Sequence, residues 1–328
     1  EQYISPEQLE LGRAFVAQQA AIQGGEYFAI HGIEALGGSM IAGLALSAVL
    51  SLGVAIALTS PPKLLSIIDR ISGGGTGTHR AGTAIPFGSH DQTLDVWVPD
   101  AASETPRPVI VFFYGGGWVK GDRNAYAFAG RALASRGFVV VIPDYRKVPQ
   151  VRFPAFVEDG AQAVRWTREN IPRFGGDPGR IALAGHSAGA HTAVTLALDP
   201  RWLKAAGVAP DTVKAAIGLS GPYDFYPFDK KRSIDAMSHW PAPRDTQPIE
   251  WARADAPPML LVTSSKDTVV RPYNTENLAA KLRELGAPVQ TENYEGLSHE
   301  DVVVALSKPF RGKAPVLDRS VTFLEQAM

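Results

Sequence analysis

Gly185-His186-Ser187-Ala188-Gly189 follows the apolar run Ile181-Ala182-Leu183-Ala184 and precedes a helix-compatible stretch, Ala190 to Leu198. A G-x-S-x-G between a strand and a helix is the pattern of a nucleophile elbow, a turn so tight that its serine takes a strained backbone conformation. Small residues at 185 and 189 let the flanking backbone pass without Cβ clashes. Ser187 then stands exposed above a sheet. A plain Gly/Ser turn without chemistry is the alternative, and the partners found elsewhere in the chain decide between the two.

Outward from the elbow, Val109 to Phe113 and Phe138 to Ile142 are continuous apolar runs, the mark of strands covered on both faces. Thr93 to Val98 alternates, as an antiparallel opening strand does. Tyr126 to Arg136, stopped by Gly137, has helical periodicity, and so do Phe156 to Asn170 and Asn277 to Leu285. Arg180 to Ala184, Ala215 to Leu219, Met259 to Thr263 and Val289 to Tyr294 read as further strands. This alternation predicts an α/β fold with a mostly parallel central sheet and helices on both faces.

Tyr114-Gly115-Gly116-Gly117-Trp118 directly follows the Val109 to Phe113 strand. Three glycines permit a loop whose N–H groups point at a neighbouring site, where with the Ala188 N–H they form an oxyanion hole. Ser187 needs a base and an orienting acid. Asp267 lies just past the Met259 to Thr263 strand, and His299 just past the last strand, where open α/β sheets place functional residues. The order Ser187, Asp267, His299 fits a triad in which His299 takes the serine proton and Asp267 holds the imidazole. His186 and His191 point away from the serine on such an elbow and read as structural. Asp301 reads as a solvated or capping carboxylate, Asp144 and Asp177 as turn residues, and His239 as a pocket candidate within a long insertion.

The 328 residues are 45% apolar and 20% charged, a globular balance able to bury a sizeable core. A formal net charge of −1 gives no basic field for nucleic acid, and the absence of cysteine excludes thiol chemistry and Cys-ligated metal. Ser5-Pro6-Glu7-Gln8 predicts a helix toward Gln23. From Ala35 to Pro62 there is no charged side chain, and Met40 to Leu58 is almost wholly apolar, long enough to cross a bilayer. Ser39, Gly43, Ser47, Ser51 and Ala55 place small residues on one helix face, which leaves room for a homo-oligomer. Residues 1–79 are thus expected to form an N-terminal helical region with a spanning or anchoring helix at 38–60. A cap or oligomer element is the alternative. Lys63 and Arg70 follow this segment and Glu26 and Glu34 precede it, which favours a cytoplasmic catalytic domain. Its position and flanks do not suit a cleaved signal peptide. Pro61-Pro62 is expected to end the apolar helix, Gly73 to Gly77 to be a linker, and residues 80–328 to form a catalytic domain that is soluble and active alone.

Residues 80–328 resemble bacterial carboxylesterases of the α/β-hydrolase superfamily, on the branch related to hormone-sensitive lipase. The resemblance rests on the glycine loop at 115–117, Asp144-Tyr145-Arg146, Phe174-Gly175-Gly176-Asp177-Pro178, the elbow, Ser220-Gly221-Pro222-Tyr223-Asp224, and Asp267 with His299. It implies the α/β-hydrolase fold, oxyanion donors at Gly116, Gly117 and Ala188, no cofactor, no metal, and a small-molecule ester of a modest acyl group as substrate. It also implies export, against the charge pattern, so the side of the membrane stays open. Tyr114 stands where the family commonly has histidine. The lid is expected in the insertion at 223–254, with Trp118, Tyr223, Phe225 and Trp240 in the substrate pocket and a preference for short acyl chains. An arylformamidase or other amidase on the same scaffold is the runner-up, and a catalytically silent membrane-associated binding protein a third reading.

Overall fold

The computed structural model describes residues 60–328. The helix expected from Ser5 and the apolar segment at 38–60, Ser60 apart, lie outside the described residues. Among the described residues no helix is long and apolar enough to cross a membrane.

Eight strands form one sheet: β1 (Thr78–Phe87), β2 (Gln92–Pro99), β3 (Arg107–Phe113), β4 (Val139–Pro143), β5 (Gly176–His186), β6 (Val213–Leu219), β7 (Met259–Ser264) and β8 (Val289–Tyr294), in the order β1-β2-β4-β3-β5-β6-β7-β8. β2 pairs antiparallel with both β1 and β4, and every pairing from β4 through β8 is parallel. Every residue of β4 and β7 is buried, as the apolar runs Val139 to Ile142 and Met259 to Val262 require. Each fully buried Val, Leu, Ile or Phe there contributes roughly 1.5–3 kcal/mol. β1 was not legible as a strand, because at the sheet edge most of its residues face solvent and no apolar alternation survives.

The helices are α1 (Pro61–Ile71), α2 (Ala127–Ala134), α3 (Ala155–Asn170), α4 (Ala188–Leu198), α5 (Pro200–Ala205), α6 (Lys231–Met237), α7 (Tyr273–Glu284), α8 (His299–Val304) and α9 (Val316–Ala327). α3 packs on α4 and α5, and α2 packs on α1 and α9. The insertion at 223–254 connects β6 to β7 and contains α6 with two short 3₁₀ turns, Pro243–Thr246 and Pro248–Trp251.

The boundary expected at residue 80 is corrected to residue 61, since Pro61–Met328 is one compact unit. Pro61 and Pro62 open α1, where a missing N–H is harmless. α1 buries Leu65, Ser66 and Asp69. The Asp69 carboxylate accepts from Arg131 Nε of α2 and from the Lys308 N–H, both at 2.8 Å. The run from Gly73 is therefore no linker: a Cβ on Gly74 would collide with the Asp69 carboxylate, so glycine is what lets the chain wrap this buried pair.

Candidate active site

Ser187 sits between β5 and α4 with φ +54° and ψ −121°, a conformation that non-glycine residues avoid. The turn that imposes it leaves no room beside it. A Cβ on Gly185 would strike the backbone of Gly189, and one on Gly189 would strike the carbonyl of Phe113. Ser187 Oγ lies 2.9 Å from His299 Nε2, and His299 Nδ1 lies 2.7 Å from Asp267 Oδ2. All three residues are buried, so these contacts are shielded from bulk water.

Each partner is held by its own loop. Asp267 Oδ1 accepts from the N–H groups of Val269 at 2.9 Å and Val270 at 2.7 Å, leaving Oδ2 aimed at the imidazole. His299 is the first residue of α8, whose N-cap is Ser298 in a capping box with Asp301. Burial pulls Asp301 up, but hydrogen bonds from Lys313 and Ser298 outweigh it and hold the carboxyl below its ordinary range.

The glycine loop leaves β3 at Tyr114. Gly116 and Gly117 have φ of +142° and +61°, and the Gly116 carbonyl accepts from Val119 and Lys120 N–H groups at 3.2 and 3.1 Å. Ala188 begins α4, so its N–H has no intrahelical acceptor and is available to an anion. Tyr114 supports this loop: its ring stacks on Tyr145 at 4.5 Å, and the Tyr145 hydroxyl donates to the Tyr114 carbonyl at 2.9 Å. The Tyr114 hydroxyl accepts from Lys147 Nζ at 3.0 Å. Burial, with Tyr145 and Asp144 nearby, raises its pKa well above the ordinary value.

His186 is structural, as expected, with partners that no local pattern discloses. Its Nε2–H donates to the carbonyl of His299 at 3.2 Å, and its Nδ1 accepts from the Tyr126 hydroxyl at 3.0 Å. A carbonyl can only accept, so the neutral tautomer is fixed. Burial, and then the neighbouring His299, push the pKa of His186 well below its ordinary value. His191 donates from Nε2 to the Thr246 carbonyl at 2.8 Å, and His239 to that of Phe153 at 2.8 Å. Asp144 pairs with Arg123, and Asp177 caps its own turn through Gly179 and Arg180.

A cavity of about 250 Å³ opens at Ser187 and is lined in part by Gly117, Trp118, Ala188 and Phe225. Two residues expected in it are elsewhere. Tyr223 is fully buried, its hydroxyl turned toward Gly218 and Gly221, because the backbone at 223 and 224 is pinned by Asn274. Trp240 packs edge-on against Phe153 at 5.1 Å, outside the cavity, as does His239 through its bond to the same residue. The sequence reading missed Arg232, Ser233, Val269, Val270 and Arg271, which do line the cavity. Only the direct neighbourhood of Asp267 could have suggested 269–271.

The sheet order, the elbow and a serine, histidine and aspartate on the ends of β5, β8 and β7 define an α/β-hydrolase. The chain belongs to the BD-FAE family, whose model matches residues 94–282, more than half of its length. It is similar to esterase LipC of Mycobacterium tuberculosis, 34% identical over 211 residues, covering 58% of this chain and 52% of that protein. It is similar also to the isoprenylcysteine alpha-carbonyl methylesterase ICME of Arabidopsis thaliana, 31% identical over 242 residues, covering 67% of this chain and 56% of that protein. The chain thus spans little more than half the length of these relatives. Among solved structures, a hyperthermophilic esterase of the archaeon Pyrobaculum calidifontis shares the fold with a TM-score of 0.65 at 24% identity, covering 81% of this chain and 92% of that one.

Proposed function

We propose that this chain is a serine carboxylesterase acting on short-acyl esters through Ser187, His299 and Asp267. The observation that carries the reading is the unbroken chain of contacts from Ser187 Oγ through His299 to Asp267, at 2.9 and 2.7 Å. In the first half-reaction His299 Nε2 takes the Ser187 proton as Oγ attacks the ester carbonyl carbon. The N–H groups of Gly116, Gly117 and Ala188 hold the developing oxyanion, a contribution of roughly 2.7–4 kcal/mol for one well-placed donor. The imidazolium, stabilised by the Asp267 carboxylate, gives its proton to the departing alkoxide, and an acyl-Ser187 ester remains. Water, deprotonated by His299, then attacks that ester, releases the carboxylic acid and returns the proton to Ser187.

The small cavity, with Trp118 and Phe225 on its wall, supports a short acyl group. The relatives named as esterases support an ester over an amide substrate. Fluorophosphonate labelling tests the nucleophile: wild type should react and Ser187→Ala should not. A labelled Ser187→Ala protein overturns the assignment. Short soluble esters should be hydrolysed faster than long-chain triglycerides or N-formylkynurenine, and the reverse order would sink the substrate class. We further propose membrane association through residues 38–60, on the strength of their charge-free sequence, with the side left open. Retention of the full chain in the pellet after alkaline carbonate washing is the expected result, and release into the supernatant refutes it.

A further inference from the structure

We infer that the Ser187 cavity selects esters carrying a negative charge, and that Arg232 and Arg271 bind the anionic group, a carboxylate or phosphate, on the substrate. This deepens, and rests on, the esterase reading of the same site. Three cations line the cavity, Lys230, Arg232 and Arg271, against one carboxylate, Asp229. That carboxylate already lies 3.8 Å from Lys230 Nζ. The chain as a whole has a formal net charge of −1, so this concentration of positive charge is local.

Arg232 is not merely a solvent-facing residue of the insertion. Its side chain leans over the oxyanion loop: a Cβ built on Gly117 would lie 2.7 Å from Arg232 Cδ and 3.1 Å from Nη1. The residue is exposed, and its guanidinium lies beside the oxyanion loop at the mouth of the cavity. Arg131, Arg146 and Arg201 each have a carboxylate partner. Among the described residues Arg232 and Arg271 have neither an ion-pair partner nor a side-chain hydrogen bond, so their donors are free for a ligand.

The rest of the wall explains why a charge here counts. Trp118, Pro222, Phe225, Val269 and Val270 face the same space. Apolar walls exclude water and concentrate the field of the rim, so an anion is drawn in more strongly than to an open surface. A guanidinium presents a planar fork of donors that matches a carboxylate or phosphate, and such charge-assisted bonds are about twice as strong as neutral ones. A neutral ester offers neither arginine an anion to pair with.

The test compares kcat/KM for charged and neutral members of two ester pairs on the full chain, each corrected for spontaneous hydrolysis. 4-Nitrophenyl hydrogen succinate against 4-nitrophenyl methyl succinate places the charge on the acyl side. 4-Acetoxybenzoate against its methyl ester places it on the alcohol side. In one pair the anionic ester should be favoured by about tenfold, the scale of one charge-assisted contact. The preference should shrink as ionic strength rises from about 0.01 M to about 1 M, over which the Debye length falls from about 30 to about 3 Å. Arg232→Gln and Arg271→Gln should each lower the anionic-to-neutral ratio severalfold, while Arg232→Lys should keep most of it. Absence of preference in both pairs, or a preference that survives the double Arg232→Gln/Arg271→Gln change, overturns the inference. An equal loss on charged and neutral esters in Arg232→Gln also overturns it, since the arginine would then serve the oxyanion. If no ester is turned over and fluorophosphonate leaves Ser187 unlabelled, the esterase reading falls and takes this inference with it.

Discussion

Asp69→Ala should destabilise the protein by about 3–5 kcal/mol, because deleting one partner of a buried ion pair strands the other charge. Asp69 is 1% exposed and Arg131 5%, so water cannot replace the lost carboxylate. Among the described residues the only hydrogen bonds left to the Arg131 side chain would be those to Ser66, at 2.6 Å to the carbonyl and 3.2 Å to the hydroxyl. The Lys308 N–H, 2.8 Å from Asp69 Oδ1, would be orphaned as well, for about 1 kcal/mol more. Burial already pulls the Arg131 pKa down, with Asp69 the main force opposing it, so the guanidinium depends on this one carboxylate. Domains commonly have only about 5–15 kcal/mol of stability to lose. At roughly 2–4 °C per kcal/mol for a domain of this size, the melting temperature should fall by roughly 10–20 °C. Asp69→Leu with Arg131→Met removes both charges, keeps their bulk and should recover most of the loss. Differential scanning calorimetry decides the matter: a melting temperature within about 2 °C of wild type for Asp69→Ala would refute the view that α1 is integral to the catalytic unit.

A chain starting at residue 80 lacks all of α1 and should express as aggregate, whereas one starting at residue 60 should be folded and active, as size-exclusion chromatography with an ester assay will tell. Burial pulls His191 down to about 4 against its bond to Thr246, and His186 well below its ordinary value. Both stay neutral in the fold while the unfolded chain protonates below about pH 6.5, so stability is complete above that pH and should fall by about 1.4 kcal/mol per pH unit for each histidine on acidification. A melting temperature that is flat from neutrality down to mild acid contradicts this. Tyr114→Phe keeps the ring stack but strips Lys147 of an acceptor, and should cost about 1 kcal/mol with kcat nearly unchanged; Tyr114→Ala should lower kcat roughly tenfold in steady-state kinetics by loosening the glycine loop. Asp301→Ala removes the capping box, so denaturant titration should register a loss of about 1 kcal/mol and kcat should drop more than KM rises as His299 loses its fixed bearing.

Much of the site was legible because its signals are local. Strain at Ser187 requires small neighbours, the oxyanion loop requires glycines, and the central stretches of the parallel strands β3 to β7 are apolar since both faces are covered. Strand ends then place Asp267 and His299 near the elbow by topology alone. The edge strand β1 escaped notice, since a strand facing solvent on most positions carries no periodic mark.

What the sequence could not supply is any relation between residues far apart that no local pattern encodes. Glycines at 73 to 77 have the composition of a linker, and only the pairing of Asp69 with Arg131, sixty-two residues further on, makes them a wrap around a buried charge. His186 reads as structural, but what it supports appears only when the fold carries the His299 carbonyl, 113 residues on, to its Nε2. Tyr223 and Trp240 have the right chemistry for an apolar pocket, yet Asn274 and Phe153 draw them elsewhere, and Arg232 takes a place at the cavity instead. An aromatic ring is equally stable in a pocket wall or a core, so composition fixes neither location; tertiary packing, which can fill each volume only once, makes the choice.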